Sequence, residues 1–147
     1  MPARVIFGLH SFLLNTADGK QQAVRWQFEP VDGHQGLTSA EINAAPTEFL
    51  EQRLQQRLKQ GPVRFRLQLV LATAADQLLD PSQAWPAGRQ IISGGELRIN
   101  QSGGTACNNL NFDPNVLAAG ISPSADPVLQ MRSAAYAVSF GKRLSGQ

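Results

Sequence analysis

Two segments of this 147-residue chain alternate oily and polar side chains with a period of two, and nothing else in it constrains the fold as tightly. Over 22–29, Val24, Trp26 and Phe28 alternate with Arg25, Gln27 and Glu29. Over 63–71, Val63, Phe65, Leu67, Leu69 and Leu71 oppose Arg64, Arg66 and Gln68. That pattern makes half-buried strands with one apolar face. Such a face cannot stand in water. A second sheet, a helix layer or another subunit must cover it.

Two more strands are expected. Residues 5–14 form an apolar run that reads as one strand, and Asn15-Thr16-Ala17-Asp18-Gly19 is turn chemistry. The Asp18-Gly19 pair makes an antiparallel hairpin with 22–29. Residues 91–99 form the other strand, with Gly94-Gly95 marking a bulge or a close backbone approach. Helices are few. Thr38-Ser39-Ala40-Glu41 is a capping box that opens a short helix. Residues 47–60 carry Leu50, Leu54 and Leu58 as one stripe and stop at Gly61-Pro62. Residues 101–125 have little periodicity, a length of irregular chain that usually wraps something or works. Asp126-Pro127 then supplies an N-cap and a first-turn proline for a helix over roughly 127–140.

Composition removes several functions. The single cysteine, Cys107, excludes an internal disulfide or a cysteine-rich metal site, and no cation adjoins it in sequence to activate the thiol. The net charge of +2 is spread without a basic stripe, so nucleic acid is not an expected partner. No apolar run approaches the ~20 residues of a membrane span. Arg4 and the run after it imitate a secretory signal, but no small-residue cleavage site follows. With Met1 as the true start the expectation is a cytoplasmic chain; an upstream signal-bearing segment would make it periplasmic. His10 and His34 are the two histidines, and neither has a partner at metal-ligand spacing. No nucleophile elbow, phosphate loop or dinucleotide fingerprint is present.

The last helix offers the sharper chemistry. Arg132 and Tyr136 are four residues apart and share a helical face, which Val128 extends by a turn. A tyrosine on a helix is ordinarily a core or interface side chain. Its functional reading is as an anionic oxygen ligand. Keeping a phenol ionised at pH 7 costs about 4 kcal/mol. A neighbouring guanidinium and a bound ferric ion can supply that, and tyrosinate-ligated haem is a known use.

Asn111-Phe112-Asp113-Pro114, the run from Gly120-Ile121-Ser122-Pro123 through Asp126 to Gln130, and Arg132-Ser133-Ala134-Ala135-Tyr136 together resemble the proximal haem segment of haem-dependent catalases. They are most similar to the small catalase-related peroxidases, whose segment reads G-I-x-P-S-x-D and then R-x-x-x-Y on a helix. Gly8-Leu9-His10-Ser11-Phe12 and Arg25-Trp26-Gln27-Phe28-Glu29-Pro30 look like the fifth and sixth strands of that family's barrel. Gly61-Pro62-Val63-Arg64-Phe65 opens the seventh, and Asp80-Pro81-Ser82-Gln83-Ala84-Trp85-Pro86 resembles the D-P-T-Q-x-W-P loop before the eighth. Two departures stand out. Val128 replaces a longer side chain, and Ala137-Val138-Ser139-Phe140 lacks the P-D-T of large catalases.

The resemblance implies an α+β, β-rich fold: antiparallel strands forming the second half of an eight-stranded barrel, a helix between strands, and a C-terminal haem-ligating helix. It divides the chain into a half-barrel over 1–100 with a helical insert at 38–60, a wrapping loop over 101–125 and a proximal helix over 126–147. Tyr136 would ligate the ferric iron of heme b, with Arg132 as the supporting cation. Phe112, Val128 and Arg143 would contact the porphyrin or its propionates. The substrate would be hydrogen peroxide, and by extension organic peroxides. Peroxide would oxidise the haem, and a second peroxide or an organic reductant would restore it. The family's distal histidine and asparagine lie before the fifth strand, so no acid–base catalytic residue is expected in this chain. The expected partners are haem, peroxide and a missing N-terminal half or a second copy. Two other readings compete: a non-enzymatic haem- or small-ligand-binding β domain, or a subunit that completes a barrel with another chain; and a damaged fragment that aggregates.

Overall fold

The computed structural model describes residues 4–34 and 36–146. Met1–Ala3, inside the expected half-barrel segment, and Gln147, inside the expected helix segment, lie outside the described residues. In chain order the elements are β1 (Ile6–Phe7), β2 (Phe12–Asn15), β3 (Gln21–Pro30), α1 (Ser39–Ala44), α2 (Phe49–Leu58), β4 (Val63–Leu71), β5 (Ile91–Ile99), a 3₁₀ turn (Gly104–Asn109), β6 (Ile121–Pro123) and α3 (Pro127–Ser145). The sheet order is β5-β4-β3-β2-β6, with β1 also pairing β3. The β1–β3, β2–β3 and β2–β6 pairings are antiparallel.

Three expectations need correction. Residues 5–14 are two strands rather than one. Ile6 pairs with Phe28 and Phe7 with Gln27, but Phe12 pairs with Val24, so Gly8-Leu9-His10-Ser11 faces only Arg25 and Trp26. The two surplus residues bulge, and His10 and Ser11 are consecutively buried where a regular strand would alternate. Residues 5–14 show no sustained period-two alternation, so nothing local marks the break. Gly8 is required there: a Cβ on it would stand 2.6 Å from the Trp26 ring.

The segment 101–125 is not wholly irregular, since it contains the 3₁₀ turn and β6. β6 pairs with β2 through Phe12–Pro123, Leu13–Ser122 and Leu14–Ile121. β2 therefore has a neighbour on each side, β3 and β6. The order ends at β5 on one side and at β6 on the other, and β5 is the longer of the two end strands. There eight of nine residues are exposed, and Gly95 sits at φ +121°, a conformation that L side chains rarely adopt. The last helix is also longer than expected. It runs through Gly141 and ends at Gly146, which takes the left-handed C-terminal conformation.

Two compact units share the strands. The first comprises residues up to Phe7, Gln27–Gln68 and Ser93–Gly103. Its packing centres on Phe28 and Phe65, edge to face at 6.5 Å between centroids, with Val63 buried nearby in sequence. Thr38 caps α1 through the expected reciprocal bonds with Glu41. Arg57 ties α2 to Asp32 and to the Gly61 carbonyl. Neither helix buries a residue. Leu54 and Leu58 are half-buried and Leu50 is exposed.

The second unit comprises Gly8–Trp26, Leu69–Ile92 and the chain from Gly104 onward. Phe12 and Val24, paired across β2 and β3, close over Leu129 of α3, with Leu14, Trp26, Leu69, Leu71, Leu117 and Ile121 packed around them. Buried Arg25 organises the loop after β4. It donates to the carbonyls of Gln83, Asp80 and Gln77, and its guanidinium lies 4.5 Å from the Trp85 ring. Arg89 grips Asp76 with two bonds and holds that carboxyl well below the usual carboxylate range.

Only five hydrophobic residues among those described are buried, while Phe7, Ile91, Ile92, Leu97 and Val116 are exposed. Burying each such side chain is worth roughly 1.5–3 kcal/mol. The isolated chain is therefore expected to self-associate or to hold a partner. Light scattering checks this, and a stable, unaccompanied monomer would contradict it. No helix among the described residues is long and apolar enough to cross a membrane.

Candidate functional site

The site is built on α3, and the sequence starts that helix firmly. Asp126 is fully buried, and its Oδ1 accepts from the backbone N–H of Val128 at 2.8 Å and of Leu129 at 3.3 Å. Pro127 fills the first turn, where no N–H is missed. Asp126 Oδ2 lies 2.6 Å from Nδ1 of His10. Burial alone would raise the Asp126 pKa. The His10 bond and the two helix N–H groups outweigh it and hold the carboxyl below the usual range. An ionised carboxylate only accepts, so His10 Nδ1 carries the proton and donates. In the sequence, His10 reads as a strand histidine and Asp126 as a helix cap. The bond between them spans 116 positions, and no local signal announces it.

This pairing has a consequence for acid stability. A carboxyl whose folded pKa is depressed stabilises the fold fully above its unfolded pKa, near 4, and loses that contribution as pH falls through the folded value. Asp126→Asn keeps the cap and should remove its share of the acid loss. Asp126→Ala at neutral pH should cost about 3 kcal/mol, because it removes the cap and strands a buried histidine. Denaturant titrations across pH check both; an Ala variant within 0.5 kcal/mol of the parent, roughly the scale of a neutral surface change, would refute the linkage.

Along α3, Arg132 Nη2 donates to Tyr136 Oη at 2.7 Å, and the guanidinium carbon is 5.2 Å from the tyrosine ring centroid. Both residues are half-buried. Val128, a turn earlier on that face, is exposed. Arg143 donates to Ser139 Oγ and to the Leu110 carbonyl, and its Nε is buried without a partner. Phe112 is 57% exposed on the loop that Arg143 holds. The structure thus brings Arg132 directly to Tyr136 and joins Arg143 to the Phe112 loop. Cys107 is exposed.

No group of three or more His, Cys, Asp or Glu able to hold a metal exists among the described residues. An iron held here must bring its other ligands with it, as a porphyrin iron does. The donor set fits that requirement: one phenol oxygen backed by a guanidinium, exposed apolar Val128 and Phe112, and an unsatisfied Arg143 Nε.

The catalase family model matches residues 3–147. The chain belongs to the catalase family. It is 43% identical over 143 residues to a catalase-related peroxidase of Synechococcus elongatus, covering 95% of this chain and 42% of the relative. It is 35% identical over 142 residues to a catalase-related peroxidase of Mycolicibacterium paratuberculosis, covering 92% and 44% respectively. Catalase A from Saccharomyces cerevisiae superposes with a TM-score of 0.82 at 20% identity, covering 98% of this chain and 33% of that one. The chain therefore spans less than half the length of these catalase-family proteins, and its antiparallel sheet and C-terminal helix share their fold.

Proposed function

We propose that this chain supplies the proximal side of a catalase-type haem peroxidase, in which Tyr136 would be the oxygen ligand to the ferric iron of heme b. The observation that carries the reading is the 2.7 Å bond from Arg132 Nη2 to Tyr136 Oη, both half-buried, on a firmly capped helix. When bound, the haem iron supplies the redox chemistry with hydrogen peroxide, and organic peroxides fall within the same class. Arg132 has no acceptor atom, so it can only donate to the phenol oxygen. It thereby offsets the negative charge that a metal ligand must carry. The Asp126 cap and its bond to His10 fix the start of the helix, and with it the direction in which Tyr136 faces. Val128 and Phe112 offer apolar contact to a porphyrin, and Arg143 Nε offers a donor to a propionate. The remainder of the domain comes from a missing N-terminal half or a second copy, which also covers the exposed apolar residues.

The test is a titration of ferric haem into the purified chain, followed by absorption. Saturation at one haem per chain, with a high-spin ferric Soret band, is the expected result. Linear, unsaturable uptake indistinguishable from haem partitioning onto an unrelated apolar protein would defeat the reading.

A further inference from the structure

We infer that Asn115 is a positioning residue: with Arg143 it clamps the segment 110–115 along α3 and so fixes Phe112 beside the turn that carries Tyr136. The Asn115 Nδ2 group donates to the Leu129 carbonyl at 2.9 Å and to Ser133 Oγ at 2.8 Å. Ser133 Oγ in turn donates to Asp113 Oδ1 at 3.0 Å, and the same Asp113 oxygen accepts from the Asn115 backbone N–H at 2.9 Å. Asn115 therefore joins the loop to two turns of the helix through one closed set of bonds. At the other end of the segment, Arg143 Nη2 donates to the Leu110 carbonyl at 2.9 Å.

The two anchors run in opposite senses. Leu110 meets the end of α3, and Asp113 and Asn115 meet its first half. Ser133 and Arg143 lie about 15 Å apart along the helix axis, and Tyr136 falls between them. Phe112 falls between the loop anchors. An antiparallel segment tied at both ends has little freedom to slide, so Phe112 is presented opposite the Tyr136 stretch while staying more than half exposed. Its exposure shows that its own packing does not hold it there. The Asn115 Oδ1 is buried and has no hydrogen-bond partner. That is an unfavourable arrangement for an amide, so this side chain serves through its donors rather than through its fit. Ordering the aromatic in advance lowers what the chain must organise when a flat ligand arrives.

This inference rests on Tyr136 as the haem ligand, and the test separates the two. The variants are Asn115→Ala, Phe112→Ala and their double, with Asn115→Asp, which keeps the shape of Asn and cannot donate to the Leu129 carbonyl. Hydrogen exchange of residues 111–117 is measured without haem, and haem dissociation is measured on the loaded chain. Asn115→Asp and Asn115→Ala should speed exchange in 111–117 while α3 stays protected. Each should speed haem dissociation about tenfold, and the effect should vanish in the Phe112→Ala background because the two residues act as one unit. Should Asn115→Ala also unfold α3, Asn115→Asp decides. Unchanged exchange, unchanged dissociation, or an equal effect with and without Phe112 overturns the clamp while leaving Tyr136 as ligand. A parent chain that takes up no haem overturns the ligand reading and the positioning role together.

Discussion

The haem-loaded chain alone should consume peroxide no faster than free haem, and adding a polypeptide that corresponds to the unmatched part of the catalase-related peroxidases should raise turnover about 10²–10⁴-fold. That range is what a positioned acid–base group contributes, and neither histidine of this chain is placed to supply it. His10 is 8% exposed, and its Nδ1 is committed to Asp126 at 2.6 Å. His34 is exposed, two residues beyond a turn. β1 exposes Ile6 and Phe7, and β5 exposes Ile91, Ile92 and Leu97, side chains whose burial by a second polypeptide would be favourable. Peroxide consumption per haem, measured for the chain, for His10→Ala and for the mixture, decides the matter. Strong turnover by the chain alone, abolished in His10→Ala, would show that the acid–base group lies in these residues after all.

The second large effect belongs to Tyr136. Tyr136→Phe deletes one oxygen and preserves the ring, so the fold should survive. Haem affinity should fall by at least about 100-fold, since partners of a metal ligand are by themselves worth about 10–100-fold. Arg132→Ala removes only the donor to the phenol oxygen and should fall within that smaller range, retaining the ligand. The order of the two losses is the informative part. Equal affinities for the parent and Tyr136→Phe would dismiss the phenol as ligand. A larger loss in Arg132→Ala than in Tyr136→Phe would show that haem is held mainly by hydrogen bonds or charge from Arg132 and not by the phenol oxygen.

Local patterns made much of this legible in the sequence. The period-two runs placed β3 and β4 within one residue at either end, and Thr38 and Asp126 cap the helices they were read to cap. The i, i+4 spacing put Arg132 and Tyr136 on one face, where a hydrogen bond joins them. The remainder depends on contacts that sequence patterns do not encode. The break in 5–14 lies in the register against β3, where four residues from Gly8 to Ser11 face two, and no local pattern marks it. β6 is three residues long and has no period to read. α3 continues through Gly141 because one glycine weakens a helix only by about 1 kcal/mol. The bonds of His10 to Asp126 and of Asn115 to Leu129 and Ser133 join segments far apart in the chain.

Tyr136 is the sole tyrosine in the sequence, which makes the ligand assignment open to one measurement. Resonance Raman spectra of the ferric haem-loaded chain, prepared with ordinary and with ring-deuterated tyrosine, report iron-bound phenolate directly. With a single tyrosine, any isotope-sensitive phenolate mode belongs to Tyr136. With Tyr136 bound to the iron, enhanced phenolate modes that shift on deuteration are expected. Haem bound with no phenolate modes, or with modes indifferent to the label, would contradict that assignment.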